Sequence, residues 1–229
     1  MIKNFSIVIP AYNEDENILK IYNEIITSSF DNYNYEIIFI DDGSTDNTLN
    51  ILNSLSNQNK IKFISHQQNL GQSHAIFTGV KNSIFNNIVT IDADGQNNPK
   101  DLKKLLEIFF TNKYDLVGGL RIKRKDSIIK IISSRIANNI RSFILSDECS
   151  DTGCSLKVFK KDIFLQLPLF DGLHRFLPAL FKHYGKGNAF IEVTHRHRIA
   201  GISKYGTIKR LIKGVIDIIR VKKILKKKL

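Results

Sequence analysis

The chain reads as an α/β protein with a mostly parallel central sheet flanked by helices, and three observations predict it. Short β-branched runs alternate with longer amphipathic segments through the first half, the pattern of βαβ units. Each polar cluster of that half falls at the carboxyl end of a predicted strand, where such sheets gather ligands. The length of 229 residues, with 42% hydrophobic and 24% charged residues, suits one sizeable core and argues against both disorder and a multi-span membrane protein.

Strands are predicted at Phe5–Ile9, Tyr35–Ile40, Ile61–Ser65, Ile88–Ile91 and Asp115–Gly118. Helices fit between them at Glu14–Ser29, Thr45–Leu55, Gly71–Phe85 and Pro99–Thr111. Pro99 suits a first helical turn because its missing N–H is not needed there. The second half is less regular. Ser127–Leu145 places Ile128, Ile132, Ile136, Ile140 and Phe143 at helical spacing, with Lys130, Arg135 and Arg141 at polar positions. Ser155–Phe159 and Ala189–Val193 read as strands, with a helix at Leu173–Tyr184. A last helix over Thr207–Leu225 is apolar at Ile208, Leu211, Ile212, Val215 and Ile219. The expected division is a catalytic domain over residues 1–206 and a basic amphipathic helix and tail over 207–229.

The net charge of +12 implies an anionic partner: nucleic acid, a phosphorylated small molecule or acidic headgroups. From Lys204 onward there are ten Lys or Arg and one acid, Asp217, so the tail is the basic element. No aromatic follows Tyr205, which argues against a single-strand nucleic-acid module. No Gly-x-Gly-x-x-Gly follows the first strand, which argues against a dinucleotide oxidoreductase. Cys149 and Cys154, the only cysteines, read as reduced thiols. With no secretory signal pattern at Met1–Pro10 and no apolar run of roughly 18 to 20 residues, the active part is expected in the cytoplasm without a span.

Two acidic turns carry the candidate chemistry. Asp92-Ala93-Asp94 leaves an apolar strand, and alternate residues project the same way, so two carboxylates can face one hard cation, magnesium or manganese, with Gln96 adding a carbonyl oxygen. Asp41-Asp42-Gly43-Ser44-Thr45-Asp46 reads as a helix start capped by Ser44. It leaves Asp41 and Asp42 able to accept hydrogen bonds from a base or ribose, while Asp46 favours the helix N-terminus.

Ile7-Val8-Ile9-Pro10-Ala11-Tyr12-Asn13-Glu14, then Asp41-Asp42-Gly43-Ser44 with Asp46, then Asn69-Leu70-Gly71, then Asp92-Ala93-Asp94-Gly95-Gln96, in that order and spacing, resembles family 2 glycosyltransferases, whose fold is the GT-A nucleotide-sugar domain. Gly119-Leu120-Arg121, Ser134-Arg135, Asp151-Thr152-Gly153-Cys154, and Arg196-His197-Arg198 followed by Gly201-Ile202-Ser203-Lys204-Tyr205-Gly206 narrow the resemblance to polyprenyl-phosphate glycosyltransferases of the dolichyl-phosphate mannose synthase type. The resemblance implies that Pro10, Tyr12, Glu14, Asp42 and Ala93 line the nucleotide pocket. It implies that Asp92, Asp94 and Gln96 hold the metal and the diphosphate of a GDP- or UDP-linked sugar. Arg121 and Arg135 would surround the reacting phosphates, and Arg196, Arg198, Ser203 and Lys204 would clamp the diphosphate or the acceptor. His195 and His197 are not read as metal ligands, because the flanking arginines repel a cation.

A lipid-phosphate acceptor is largely dianionic at neutral pH and needs no general base. A hydroxyl acceptor needs one, and Asp151 is the candidate in the second half. The Gln-x-x-Arg-Trp pattern of processive synthases is absent, and there is no Trp. Relatives of the implied group continue after the Ser-Lys-Tyr-Gly segment into membrane helices, whereas this sequence stops at Leu229. The expectation is therefore a peripheral enzyme on the inner face of the cytoplasmic membrane, with Ser127–Leu145 and Thr207–Leu225 lying in the interface; the alternative is that their apolar faces pack into the core and the tail is solvated or meets a membrane protein.

Overall fold

The structure is a computed structural model that describes residues 3–56, 61–122, 138–184, 187–197 and 207–226, the last segment with side chains from 214 on. Seven strands form one sheet: β1 (Lys3–Ala11), β2 (Tyr33–Asp41), β3 (Ile61–Ser65), β4 (Asn87–Thr90), β5 (Leu116–Arg121), β6 (Lys157–Lys160) and β7 (Asn188–Val193). Their spatial order is β3-β2-β1-β4-β6-β5-β7. The pairs β1·β2, β1·β4, β2·β3 and β5·β7 are parallel. Strand β6 runs against both of its neighbours, β4 and β5.

The central strands are continuous apolar runs because both faces of the sheet are covered. In β1, Phe5, Ile7 and Ile9 enter one core cluster while Val8 enters the other. In β2, Ile37 and Phe39 face the first and Ile38 and Ile40 the second. Each fully buried side chain of this kind contributes about 1.5–3 kcal/mol relative to exposure. The first face is covered by α1 (Asp15–Thr27), α2 (Thr48–Leu55) and α4 (Leu102–Asn112), the second by α3 (Gln72–Lys81), α6 (Lys161–Phe164), α7 (Leu177–His183) and α8 (Thr207–Lys226). Residues 138–145 form α5. Close packing of α3 on β1 depends on Gly79, where a Cβ would lie 2.4 Å from Val8 Cγ1.

Local chemistry moves some helix starts. Ser44 does not cap α2: its hydroxyl accepts the Asn13 N–H at 2.9 Å, and the helix begins at Thr48, whose N–H goes to Asp46 Oδ1 at 2.9 Å. Burial pushes the Asp46 carboxyl up, but hydrogen bonds from Thr48 and Asp15 outweigh it and hold the group below its usual value. Pro99 opens a single 3₁₀ turn, Pro99–Asp101, with α4 following at Leu102.

The two amphipathic helices orient differently from their sequence pattern. On α5, Phe143 is 88% exposed and Ile140 is also exposed, whereas Arg141 is buried. On α8, Val215, Ile216 and Ile219 are exposed, while Val221 and Asp217 are buried and Ile218, Ile224 and Leu225 pack on the second cluster. Asp217 sits over the Gly172 turn and pairs with Arg175 at 3.4 Å, so the one acid of the helix is spent on the core and its exposed charges are cationic. Ile208, Leu211 and Ile212 lie outside the described side chains. Among the described residues, no helix is long and apolar enough to cross a membrane.

Candidate active site

Parallel pairing brings the ends of β1, β2, β3 and β4 to one edge of the sheet: Ala11 is level with Asp41, Asp41 with Ser65, and Val8 with Thr90. The loops leaving these strands interlock. Asp42 N–H donates to Ala11 O at 2.8 Å, Glu14 N–H to Thr48 Oγ1 at 2.9 Å and Thr45 N–H to Asn13 Oδ1 at 2.8 Å. Asn13 makes the turn from β1 to α1 with φ at 52°, a conformation its short polar side chain tolerates.

Pro10, Tyr12 and Glu14 lie half-buried along this edge, and Glu14 Oε2 accepts from Asn17 at 2.7 Å. The Asp42 carboxylate, expected at the nucleotide, is committed to the neighbouring loop: it accepts the Leu70 and Gly71 N–H groups at 3.0 and 2.8 Å and faces His66 Nδ1 at 2.8 Å. Gly43 makes that approach possible, with φ at 70° and room for no Cβ, which would lie 2.5 Å from the Gln68 carbonyl carbon. Asp42 and Gly43 thereby join the second and third motifs into one rigid wall.

After β4, Asp92 and Asp94 lie close enough for their charges to interact, and Ala93 turns its methyl into the core, 2% exposed, so its approach to any ligand is through the backbone. Asp94 is buried and its Oδ1 accepts Gln96 N–H at 3.1 Å. The Asp92 carboxyl is pushed up to about 7 by burial first and by the Asp94 charge second, against a hydrogen bond from Ser155 and the nearby cations of Lys157 and Arg121. A like-charge carboxylate pair of this kind is suited to a divalent cation, whose charge removes the repulsion. Gln72, at the start of α3, donates its amide to Asp92 Oδ1 at 2.7 Å and fixes that carboxylate.

The opposite wall comes from β5, the segment before β6, and the chain after β7. Arg121 grips Asp151 with two guanidinium hydrogen bonds of 2.7 Å, and its own N–H also reaches Asp151 Oδ2 at 3.2 Å. Lys157 is buried beneath this turn and donates to the carbonyls of Thr152 and Cys154. Burial lowers its pKa, and the neighbouring Cys154, Cys149, Asp151 and Asp92 oppose that. Past β7, Asn97 and His195 form an antiparallel bridge and Arg196 N–H donates to Gln96 O at 2.9 Å, bringing this segment onto the acidic loop. The Arg196 guanidinium is held by both oxygens of Glu24 on α1, at 2.8 and 2.9 Å. Arg135, Arg198, Ser203 and Lys204 lie outside the described residues.

The structure therefore gathers Pro10, Tyr12, Glu14, Asp92, Asp94, Gln96, Arg121 and Asp151 at one edge. Gln72 and Lys157, which the structure places against this edge, were not singled out by sequence reasoning. A lysine inside the apolar run Leu156–Phe159 was the available signal for the last.

Residues 6–167 match the glycosyl transferase family 2 profile. A dodecaprenyl-phosphate galacturonate synthase of Rhizobium johnstonii is 32% identical over 222 residues, covering 94% of this chain and 65% of the relative. An undecaprenyl-phosphate 4-deoxy-4-formamido-L-arabinose transferase of Yersinia pestis is 33% identical over 226 residues, covering 95% and 67%. The chain thus spans about two-thirds of the length of these relatives. Among solved structures, the glucosyl-3-phosphoglycerate synthase of Mycobacterium tuberculosis, in complex with Mn²⁺, UDP and glucosyl-3-phosphoglycerate, superposes with a TM-score of 0.73 at 18% identity, covering 94% of this chain and 80% of that one. That likeness, with the seven-stranded mixed sheet and its covering helices, gives the GT-A fold. With the family profile matched over most of its length, the chain belongs to glycosyl transferase family 2.

Proposed function

We propose that this chain is an inverting glycosyltransferase that moves a sugar from a GDP- or UDP-linked donor to a polyprenyl phosphate at the cytoplasmic face of the membrane. The observation that favours a phosphate over a hydroxyl acceptor is the state of Asp151. A hydroxyl would need that carboxylate as a base, yet both of its oxygens already accept hydrogen bonds from Arg121. A phosphate acceptor carries its own negative charge and needs no base. The relatives named for dodecaprenyl and undecaprenyl phosphate support the same class.

Asp92 and Asp94 would hold a magnesium or manganese ion, which when bound supplies the charge that stabilises a departing nucleoside diphosphate. The protein's own contribution is placement. Gln72 orients Asp92, the Asp42–Gly71 wall fixes the donor side, and Arg121 presents cationic N–H groups on the acceptor side. Transfer assays with polyprenyl phosphate and with the matching free polyprenol test the reading. Turnover is expected with the phosphate only, and equal turnover with the alcohol would overturn it.

The Asp92 shift gives a pH prediction with a definite sign. Its carboxyl rises from an ordinary value of 3.8 to about 7, so the metal-free protein holds a proton there that a cation must displace. Manganese affinity, measured by calorimetry, should therefore rise about ten-fold from pH 6 to pH 8. In the metal-free protein the native state binds that proton more tightly than the unfolded chain, so stability is greatest below the unfolded value and falls as pH rises from 3.8 towards about 7.

The partner surface we assign to the basic C-terminal helix is an anionic bilayer. Val215, Ile216 and Ile219 are exposed beside Arg220, Lys222 and Lys223, and headgroup attraction is worth about 1 kcal/mol per basic residue near the surface. Because Val221 and Asp217 belong to the core, removing α8 would damage the fold. Replacing Ile216 and Ile219 by Ser is the cleaner test. Co-sedimentation with phosphatidylglycerol liposomes should drop several-fold, while unchanged binding would assign membrane contact elsewhere or to a membrane protein.

A further inference from the structure

The turn that carries Asp151 has no regular secondary structure, and Ser146 and Glu148 within it have φ at 53° and 56°, in the left-handed region. Such a segment holds one shape only if its neighbours impose it. The neighbour that does so is Arg141 on α5. Its guanidinium donates to Asp147 Oδ2 and Oδ1 at 2.9 and 3.2 Å, to Asn138 Oδ1 at 2.7 Å, to the Cys149 carbonyl and to the Thr152 hydroxyl. Arg141 is 4% exposed and Asp147 1%, so this is a buried fork binding both flanks of Asp151. Asp147 Oδ1 in turn accepts the Cys149 N–H at 3.2 Å.

We propose that Arg141 is a positioning residue for the acceptor side: it fixes the 147–152 turn so that Asp151 meets Arg121 in the two-pronged geometry that aims the Arg121 guanidinium. The inference rests on the reading of Arg121 and Asp151 as the acceptor-side pair. The fork geometry is essential, since Lys has one nitrogen and cannot reach Asp147, Cys149 O and Thr152 Oγ1 together. A hydrophobic residue would satisfy none of them. The donor wall, built from β1, β2 and the start of α3, has no described hydrogen bond to Arg141, so donor binding should not depend on it.

The test is a double-mutant cycle in the full chain between Arg141→Lys and Asp151→Asn, read as kcat and as KM for donor and for polyprenyl phosphate. Arg141→Lys should lower kcat by roughly 100-fold, the scale of an ångström of misplacement, while donor KM and manganese affinity stay within about two-fold. Because Arg141 acts through Asp151, the double variant should be no slower than the slower single variant. Additive losses would overturn the proposal, as would a donor KM that rises in step with the fall in kcat. To separate positioning from stability, Arg141→Met is combined with Asp147→Leu, which removes the buried ion pair as a unit. No buried charge is left without a partner in this variant, although the Cys149 N–H and carbonyl lose theirs, so it should melt above Arg141→Met alone yet remain slow, and wild-type turnover in it would also sink the idea. If Asp151→Asn alone has no effect on transfer, the reading of the acceptor-side pair fails as well. If it slows transfer but adds to Arg141→Lys, only the role of Arg141 fails.

Discussion

Replacing Asp94 by Ala should reduce kcat/KM for sugar transfer by roughly three orders of magnitude, about 4 kcal/mol of transition-state stabilisation, with little change in melting temperature. Asp94 is buried, next to Asp92 and tied to the Gln96 backbone, so its removal takes away half of the carboxylate pair and one anchor of the loop that carries it. Stability is spared because the same substitution removes the like charge that strains Asp92. Steady-state kinetics with saturating manganese, beside a thermal melt, separate the two effects. A variant that retains a tenth or more of wild-type turnover would show that the acidic loop is not where the diphosphate charge is met.

Replacing Arg121 by Met should do damage of a different kind. It takes both guanidinium hydrogen bonds away from a buried carboxylate and leaves only the backbone N–H of position 121 from this residue, and breaking such a pair costs about 3–5 kcal/mol. Unfolding in urea should show that loss directly, together with loss of transfer. Adding Asp151→Leu should restore most of the stability, since no orphaned charge remains, but not the turnover. Recovery of both would mean that the pair is scaffolding with no hand in the reaction.

The sheet was legible because its signal is local. Runs such as Ile37–Ile40 are apolar on consecutive residues, and only a strand covered on both faces buries them all, with Ile37 and Phe39 on one side and Ile38 and Ile40 on the other. The acidic loop after β4 was legible for the same reason: its spacing and its place at a strand end are properties of six consecutive residues. What could not be read was the outcome of competition between distant partners. Ser44 had the makings of a helix cap, but Asn13, 31 residues away in sequence, takes its hydroxyl. Asp42 faces the Leu70–Gly71 turn, 28 and 29 residues on. Arg141 reads in the sequence as one of the polar positions of a helix whose apolar residues include Ile140 and Phe143. Those two point outward and the arginine points in, since Asp147 and the Cys149 carbonyl lie on the inner side. Periodicity identifies a stripe of like residues, and it is silent on which stripe the remainder of the protein will cover.

The reversed strand β6 has a topological effect that reaches beyond packing. Parallel strands offer the ligand edge only the residues that leave them, but a strand running the other way offers the residues that enter it. Residues 122–156 therefore span from one end of β5 to the start of its hydrogen-bonded neighbour, as an oversized hairpin connection whose two feet are pinned by the pairing of Gly118 with Lys157. Such a connection can change in length at little conformational cost while its feet stay fixed, provided that the Arg141 fork and the Asp151 turn within it are kept. The four loops that shape the donor side lie in other connections of the chain. A lineage can thus rewrite much of one wall of the site within this one stretch, and leave untouched the loops that leave β1 to β4.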